Sequence, residues 1–491
     1  MTDLIALPVV LPLIAAGLSM VLMGRLRAQR VLALAASLST LVVAIILLVR
    51  VESEGAAATV LGDWPVPAGI ALVADRLSAS LLLIAEVMLL GVLLYAMGQR
   101  NTDQDARFFH PTYHVLAAGV ALSFLTGDLF TLFVGFEVML MASYVLITVG
   151  ARGPRIRSTM TYVVVNLLAS TLFLTMVGLV YASAGTVNLA DLAGRLETIP
   201  PATRSLLGAM TLIVFGVKAA VFPLFSWLPD SYPTAPTPVT AIFAGLMTKV
   251  GVYAILRTRT LLFPDEGASA LILVVAGLTM AVGVLGAIAQ NEVKRLLSFH
   301  IVSQIGYMVM GIGLFTLAGI AGTILFVIHQ IVVKTTLFLV GGLVETRAGT
   351  GSLKRVGGLA RSSPLIALLF APAALSLAGL PPFSGFLAKF ALVRAGLDAG
   401  QWVIVGVSLA VSLLTFFSMA KIWAGVFWGE PDAPAERPGA SPTRTMVGAT
   451  AGLVVVGLVI ALAGGPIYAF AERAAADLLD PAGYIGVVMG R

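Results

Sequence analysis

Seven ionisable side chains lie inside long apolar stretches of the sequence, where charge is unfavourable. A charge at the centre of a bilayer costs about 2.5–3.5 kcal/mol even on a lenient insertion scale. Such groups must therefore be paired, hydrated or partly neutral, and a desolvated lysine that gains and loses its proton can serve in a proton relay. The seven residues are Glu86, Glu137, Lys218, Lys249, Lys334, Lys389 and Lys421.

Four of these lysines are predicted to take part in proton transfer, because they lie deep in an apolar stretch or beside a proline-rich break. Lys421 instead lies near the end of its stretch. A lysine there commonly extends its amine to the membrane interface. The four predicted proton-transfer residues are Lys218, Lys249, Lys334 and Lys389.

The two glutamates lead to different expectations. Glu137 has no basic residue near it in sequence, so its partner must come from another helix. Lys218 is the candidate, because it is predicted at a similar depth. Glu86 also lies in the middle of an apolar stretch. It faces either the helix bundle or a partner subunit, and the sequence leaves both open.

Histidines extend this set. His329 and Lys334 share one apolar stretch, and five residues rotate an ideal helix by about 500°, so the two face different sides unless a π-bulge intervenes. His329 is predicted to belong to the same relay. His300 either passes protons inward or anchors the start of its helix. His110 and His114 are one turn apart, but two ligands without a nearby carboxylate or cysteine are weak evidence for a metal.

The elements that position these residues must be membrane spans. Of the 491 residues, 59% are apolar and only 11% are charged, whereas about a quarter of a soluble domain is charged. A soluble globule of this length could not hide so much apolar surface, so a soluble enzyme is excluded. The composition predicts an all-α polytopic membrane protein.

A transmembrane helix needs about 20 predominantly apolar residues, and the sequence contains about fourteen such stretches. The twelfth is too long for one straight helix. The predicted spans are residues 4–24, 31–50, 73–97, 111–126, 129–150, 159–184, 205–227, 236–257, 268–290, 299–317, 320–344, 364–396, 401–428 and 446–468.

The distribution of basic residues favours an N-terminus outside the cell membrane. Odd-to-even loops are then cytoplasmic and carry 16 lysines and arginines. The outer loops and C-terminal tail carry 9, among which Arg257 and Arg259 are counted. Cytoplasmic loops of membrane proteins show this excess. A bias of this size would not reveal one further helix near the C-terminus.

Two proline-rich interruptions predict an internal repeat. Span seven contains Pro223 and is followed by W-L-P-D-S-Y-P-T-A-P-T-P (227–238), and span twelve contains L-P-P-F-S-G-F (380–386). If spans four to eight and nine to thirteen form two units, both breaks fall in the fourth helix of a unit, and the second unit is inverted. Paired breaks of this kind indicate a transporter's ion site; packing kinks are the alternative. The predicted divisions are 1–110, 111–258, 268–428 and 429–491.

Absent motifs exclude several other activities. The chain has no cysteine, which excludes disulfides, iron–sulfur clusters and thiolate metal sites. It has no G-x-x-x-x-G-K-[ST] motif, so ATP is not bound through a P-loop. No nucleophile–base arrangement is apparent. We therefore expect an ion transporter without cofactor or metal, driven by an ion gradient or by a partner, and not an enzyme.

Four motifs carry a resemblance to a known family. With the fourteen-span layout, the chain resembles the antiporter-like subunits shared by respiratory complex I and the multisubunit Mrp-type cation/proton antiporters. The first and third motifs favour the Mrp branch. The motifs are T-G-D-L-F-T-L-F-V-G-F-E-V-M-L-M-A-S-Y (126–144), K-A-A-V-F-P-L-F-S-W-L-P-D-S-Y-P-T-A-P-T-P-V (218–239), K-R-L-L-S-F-H-I-V-S-Q-I-G-Y-M (294–308) and L-A-G-L-P-P-F-S-G-F-L-A-K-F (377–390).

The resemblance implies a hydrated polar axis along the membrane midplane. It also implies exchange of Na⁺ for protons, and assembly with other Mrp subunits in a hetero-oligomeric complex in the lipid bilayer. The positions that match the family's axis are the glutamate–lysine pair Glu137 and Lys218, the lysine Lys249, the histidine–lysine pair His329 and Lys334, and the lysine Lys389.

Two rival functions stay open. A proton-pumping subunit of a redox complex, such as complex I or a membrane hydrogenase, would carry the same charges, although Lys389 and the H-I-V-S-Q segment argue against it. A scaffold that has lost transport is the other. The unbroken set of charged positions argues against a scaffold, because nothing structural would compensate their burial.

Overall fold

The computed structural model describes residues 2–62, 64–99, 102–103, 107–149, 154–264, 268–430 and 439–490. Helices dominate these residues, and eleven of them are long and apolar enough to cross a membrane. Two shorter apolar helices, Leu7–Val21 and Pro364–Ala378, add to these. The predicted class of helical polytopic membrane protein is therefore confirmed, while the count of fourteen spans stays a prediction.

The described residues of the first half of the chain form eleven α-helices. They are α1 (Thr2–Ile5), α2 (Leu7–Val21), α3 (Leu26–Glu54), α4 (Arg76–Gly98), α5 (Phe109–Leu125), α6 (Leu129–Thr148), α7 (Pro154–Ala184), α8 (Leu189–Arg195), α9 (Pro201–Ala219), α10 (Trp227–Ser231) and α11 (Thr237–Ile242).

The second half adds eleven more. They are α12 (Thr248–Leu261), α13 (Ser269–Ile288), α14 (Val293–Leu314), α15 (Leu317–Ala348), α16 (Leu359–Ser362), α17 (Pro364–Ala378), α18 (Ser384–Asp398), α19 (Trp402–Ile422), α20 (Arg444–Leu462), α21 (Gly464–Leu479) and α22 (Ala482–Met489). A π-helix, Phe243–Met247, joins α11 to α12, and another, Trp423–Trp428, follows α19.

A short β-hairpin interrupts the helical pattern between α3 and α4. Strands β1 (Ala57–Leu61) and β2 (Ile70–Ala74) pair antiparallel. The carbonyl of Ala71 accepts a hydrogen bond of 2.8 Å from Gly127 N, which attaches the hairpin to the turn between α5 and α6. The sequence analysis did not predict these strands, because each is only five residues long.

Both predicted helix breaks are present. Helix α9 ends at Ala219, and Ala220 takes the left-handed conformation with φ of 59°. Helix α17 ends at Ala378, and Gly379 takes the same region with φ of 85°. The twelfth predicted span is thus two helices, α17 and α18. A left-handed residue closes a helix because it turns the chain away from the helix axis.

The same backbone contacts recur in both predicted units. In each unit, the start of the second helix and the loop after the third exchange two N–H···O bonds of 2.8–3.0 Å. This recurrence supports the two-unit organisation, which remains a prediction together with the domain divisions. The bonds are Leu129 N to Val187 O and Leu189 N to Gly127 O, and then Val293 N to Gly351 O and Leu353 N to Asn291 O.

The C-terminal region contains more helix than predicted. The last span was predicted over 446–468. In the structure, α20 ends at Leu462 and a further helix, α21, ends at Leu479. Asp477 of α21 forms an ion pair of 2.6 Å with Arg76 at the start of α4. Charged residues divide the apolar positions of α21, so a search for continuous apolar stretches misses this helix.

The expected outer-loop position of Arg257 and Arg259 is wrong. Both lie in α12 and are only 4% exposed. Arg257 forms an ion pair of 2.6 Å with Asp75 and lies 5.0 Å from the ring centroid of Tyr484. A buried carboxylate and an aromatic face compensate the buried charge. Of the other counted residues, Arg100, Arg152, Arg437 and Arg491 lie outside the described residues, as do residues 431–438 of the predicted loop. The orientation stays a prediction.

We expect Asp75→Asn to lower stability by about 3–5 kcal/mol, because it leaves a buried guanidinium without its carboxylate. The amide oxygen can still accept the hydrogen bond that Asp75 takes from Ser78 N at the start of α4. The measurement is the apparent Tm of the purified protein in detergent. Asp398→Asn is the control, because its pair with Arg394 is exposed and 3.8 Å long. Equal Tm values for both variants would contradict the prediction.

Candidate ion-translocation site

Glu137 and Lys218 meet through the hydroxyl group of Ser170. Lys218 lies in the last turn of α9, and its Nζ donates hydrogen bonds to Ser170 Oγ at 2.9 Å and to Asn166 O at 3.4 Å. Ser170 Oγ donates in turn to Glu137 Oε1. The two charged groups form no direct ion pair in the part of the chain that the structure describes. The structure thus brings the predicted pair together, but with a third residue between them.

The two ends of this contact differ in exposure. Lys218 is 4% exposed, and its Nζ lies 5.9 Å from the ring centroid of Phe136. Glu137 is partly exposed on α6, on the same helix as Met141, which is 48% exposed. The contact therefore leads from the interior of the bundle toward its outer surface.

Lys249 lies directly after the π-helix Phe243–Met247. Its Nζ donates to Ala244 O, five residues earlier in the chain. A π-helix bonds i to i+5 and so rearranges the carbonyls of one turn, which lets the lysine reach this oxygen. Lys249 is 1% exposed. Helix α15 is regular throughout, so no π-bulge lies between His329 and Lys334. The π-helix occurs before Lys249 instead.

His329 and Lys334 face different sides of α15, as a regular helix requires. His329 Nδ1 lies 2.9 Å from Ser384 Oγ in the first turn of α18. Ser384 Oγ is 3.1 Å from Ser376 Oγ, across the helix break. Lys334 is fully buried, and its Nζ has no hydrogen-bond partner among the described residues. It interacts electrostatically with Lys249 and Lys389.

Lys389 extends back from α18 to the open end of α17. Its Nζ donates to Leu377 O and Ala378 O, both at 3.1 Å, and to Ser412 Oγ at 3.0 Å. The ring centroid of Tyr307 lies 5.1 Å away. The C-terminal carbonyls of a helix carry partial negative charge and stabilise a cation. The break in span twelve thus provides the binding site for this lysine.

Known proteins match the chain over its whole length. A family model described as "NADH:quinone oxidoreductase/Mrp antiporter, TM" matches residues 126–415. The chain belongs to this family. It is 42% identical to the D-type subunit of a Na⁺/H⁺ antiporter from Alkalihalophilus pseudofirmus, with 100% of both chains covered. The resemblance predicted from the four motifs is confirmed.

Solved structures show the same fold. A chain of the Mrp complex from Dietzia sp. has a TM-score of 0.94 and 34% identity, with 100% of both chains covered. A chain of the membrane-bound sulfane sulfur reductase, an archaeal respiratory membrane complex, has a TM-score of 0.90 and 25% identity. That match covers 99% of this chain and 100% of the other. The family fold therefore occurs in both antiporter and respiratory assemblies.

Within this antiporter-family fold, buried polar atoms without a hydrogen-bond partner among the described residues accompany the lysines. Buried polar groups are nearly always hydrogen-bonded, so ordered water is the expected partner of these atoms. His300 Nε2 contacts Ser418 Oγ at 2.8 Å, and Gln330 Nε2 contacts Gln304 Oε1 at 3.3 Å. The atoms without a partner among the described residues include His300 Nδ1, Gln304 Nε2, Gln330 Oε1, His329 Nε2 and Thr248 Oγ1.

The hydroxyl groups that contact Lys218 and Lys389, and the paired amides of Gln304 and Gln330, were not predicted from the sequence. Many serines and threonines in these helices bond only to their own helix, as Thr335 does to Ile331 O. Composition cannot separate such residues from Ser170 or Ser412, because both kinds are single polar residues in apolar helices. The useful signal is position, since Ser384 lies within a predicted break.

The two remaining intramembrane charges, Lys421 and Glu86, each contact a neighbouring helix. Lys421 Nζ donates to Ile288 O at 2.8 Å and Gln290 O at 2.7 Å, so it caps the end of α13, and its position at the membrane interface stays a prediction. Glu86 is 2% exposed and accepts a hydrogen bond of 2.8 Å from Thr40 Oγ1. It therefore faces the bundle, one of the two alternatives that the sequence left open.

We expect Lys334→Met to raise the apparent Tm, because an apolar side chain of similar length replaces a buried amine that has no protein acceptor. The gain is expected at about 1–4 kcal/mol. Lys421→Met is the matched control and should lower the Tm, because it leaves two helix-end carbonyls unpaired. Thermal unfolding of both variants in the same detergent tests this. A loss of stability in Lys334→Met would contradict it.

Proposed function

We propose that the chain is the D-type subunit of a multisubunit Na⁺/H⁺ antiporter of the Mrp type. The observation that carries the proposal is a row of four buried lysines, three of them bound to main-chain carbonyls, in a chain that matches a D-type antiporter subunit along its full length. The row is proposed to conduct protons at the membrane midplane. Its members are Glu137, Lys218, Lys249, His329, Lys334 and Lys389.

Protons are proposed to enter one half-channel, load Lys249, His329 and Lys334, and leave through Lys389. Each transfer depends on the charge of the next group, because two cations repel strongly where the dielectric constant is low. The electrostatic contacts of Lys334 with Lys249 and Lys389 support this order. Water beside the unpartnered polar atoms would link groups that do not touch.

The Glu137–Ser170–Lys218 contact is proposed as the gate of this row. The backbone of Lys218 and Ala219 packs against Gly251 of α12, close to Lys249. While the contact is closed, Lys218 stays charged and repels a proton on Lys249. When it opens, that repulsion weakens and Lys249 can be loaded. Movement of the Ser170 hydroxyl would change the gate without moving a helix.

The subunit is proposed to act in a hetero-oligomeric complex in the cell membrane, with its N-terminus outside. The partly exposed Glu137 supports this, because a carboxylate facing lipid is unfavourable. A neighbouring subunit that covers this part of α6 would remove the penalty. The matched structures are of multisubunit complexes, an Mrp complex among them. The proposed role is ion transport and not catalysis, and the transported species are Na⁺ and protons.

A proton-pumping subunit of a redox complex is the second candidate. The match to a chain of an archaeal respiratory membrane complex favours it. That match has 25% identity, whereas the D-type antiporter subunit reaches 42%. The antiporter is therefore the preferred function.

We expect Glu137→Gln and Lys218→Ala each to lower Na⁺-dependent antiport by at least about tenfold, because each removes one charge of the gate. The assay follows a pH-sensitive dye in vesicles from antiporter-deficient cells that express the full operon. Lys354→Ala, which removes an exposed lysine, should leave antiport unchanged. Wild-type antiport in either gate variant, within an assembled complex, would refute the gate.

The same vesicles separate the two candidate functions. Dissipation of the pH gradient by added Na⁺ supports the antiporter. A gradient that ignores cations, yet forms with an electron donor only when this chain is present, would assign it to the redox pumps.

We further expect Ser170→Ala to reduce antiport several-fold while Ser170→Thr largely retains it. The hydroxyl accepts from Lys218 and donates to Glu137, and only threonine preserves both bonds. The readout is the initial rate of dye recovery after Na⁺ addition, normalised to the amount of assembled complex. If alanine and threonine behaved alike, the hydroxyl would have no role in the gate.

A further inference from the structure

A second group of buried polar residues lies outside the lysine row and before residue 126, where the family match begins. Its centre is Glu86, whose described partner is the hydroxyl of Thr40 on α3. No cation pairs with Glu86 among the described residues. Met88 points the other way on α4, 3.3 Å from where a Cβ on Gly245 would lie. Glu86 therefore faces away from the lysine row.

Helix α5 presents three ionisable groups to α4. His110, Tyr113 and His114 lie at i, i+3 and i+4 and therefore share one face. None is more than 2% exposed. The Tyr113 hydroxyl donates to Leu89 O of α4, which fixes this face against the helix that carries Glu86. Tyr113 also interacts electrostatically with Glu86.

The carboxylate of Asp103 lies at the N-terminal end of this face. Asp103 accepts a hydrogen bond of 3.2 Å from His110 Nε2 and bonds of 2.7 and 2.8 Å from the Arg30 guanidinium. Burial raises the pKa of Asp103, but the bonds from His110 and Arg30 outweigh it and hold the pKa below its usual value. Arg30 is 27% exposed. This end of the group therefore reaches the aqueous phase.

Polar atoms without a hydrogen-bond partner among the described residues accompany this group. His110 Nδ1 and His114 Nε2 are buried and have no hydrogen-bond partner among the described residues. Gln99 Oε1, at the end of α4, is in the same condition. A buried imidazole nitrogen normally has a partner, and water is the molecule that can supply it here. The histidines thus point to a hydrated path.

We propose that Glu86 is a second proton-binding site, separate from the lysine row and connected to water through Asp103, His110 and His114. The carboxyl exchanges its proton along this face of α5, from the membrane surface that carries Arg30. The site goes beyond the proposed antiport function, because binding and release of the proton at Glu86 does not require Na⁺ exchange.

The other helices packed against α4 bring no competing charge to Glu86. Helices α11 and α20 carry no ionisable residue there. On α15, Lys334 faces Lys249 and Lys389, and Glu345 pairs with Lys294. On α21, Asp477 pairs with Arg76 and Arg473 with Glu52, both at the far end of α4. Among the described residues, the side chains that interact with Glu86 are therefore those of Thr40 and Tyr113.

The test is a pH-difference infrared spectrum of the purified complex in lipid. A protonated buried carboxyl has a distinct C=O stretching band, which we expect to appear on acidification and to be absent in Glu86→Gln. Glutamine keeps the size of the side chain and an oxygen for Thr40, but it cannot ionise. Thr40→Val is the matched control and should keep a titrating band. Identical spectra for wild type and Glu86→Gln would overturn the proposal.

The path is tested by the rate at which this band appears after a pH jump. Asp103→Asn and His114→Phe should each slow it by at least about tenfold, because proton transfer loses a positioned acid–base group. Two variants are used because Asp103→Asn also weakens the contact with Arg30. Unchanged rates in both would overturn the path. The readout needs no transport, so absence of antiport in wild type would refute the proposed function and leave this result intact.

Discussion

The structure depends on how a cation is accommodated inside an apolar helix bundle. In four places a lysine binds main-chain carbonyl oxygens. Most of these carbonyls are left available by a helix end or by a π-helix. A carbonyl dipole stabilises an ammonium group without adding a formal negative charge. The lysine can therefore lose its proton without leaving an unpaired anion behind. The four contacts are Lys218 with Asn166, Lys249 with Ala244, Lys389 with Leu377 and Ala378, and Lys421 with Ile288 and Gln290.

Lys334 is the exception, and its position explains why. It lies in the middle of the regular helix α15, away from a helix end or a π-helix. It also interacts electrostatically with Lys249 and Lys389. Neighbouring Gln304 and Gln330 each retain an unpartnered atom, so water is the natural partner at this point of the row. We expect a lysine that is hydrogen-bonded to water and repelled by two neighbouring lysines to exchange protons more readily than one bound by fixed carbonyl dipoles.

The sequence predicted the membrane class, both helix breaks and the positions of the buried charges. These features are strong in sequence because charge and proline are rare in apolar helices. The links between the charges were not predictable, since Ser170 and Ser412 resemble any other hydroxyl residue in a span. The position of Arg257 was wrong because its partner, Asp75, lies far away in sequence and supplies the carboxylate that burial needs. Helix α21 was missed because charges interrupt its apolar face.

The two broken helices use their lysines differently, although both breaks open with a left-handed residue. Lys218 precedes its break and reaches a carboxylate through Ser170, whereas Lys389 follows its break and reaches only neutral oxygens among the described residues. The contact of Lys218 therefore ends at a partly exposed carboxylate, whereas the contacts of Lys389 end at neutral oxygens. This difference supports control of the row at its Glu137 end and release of protons at its Lys389 end.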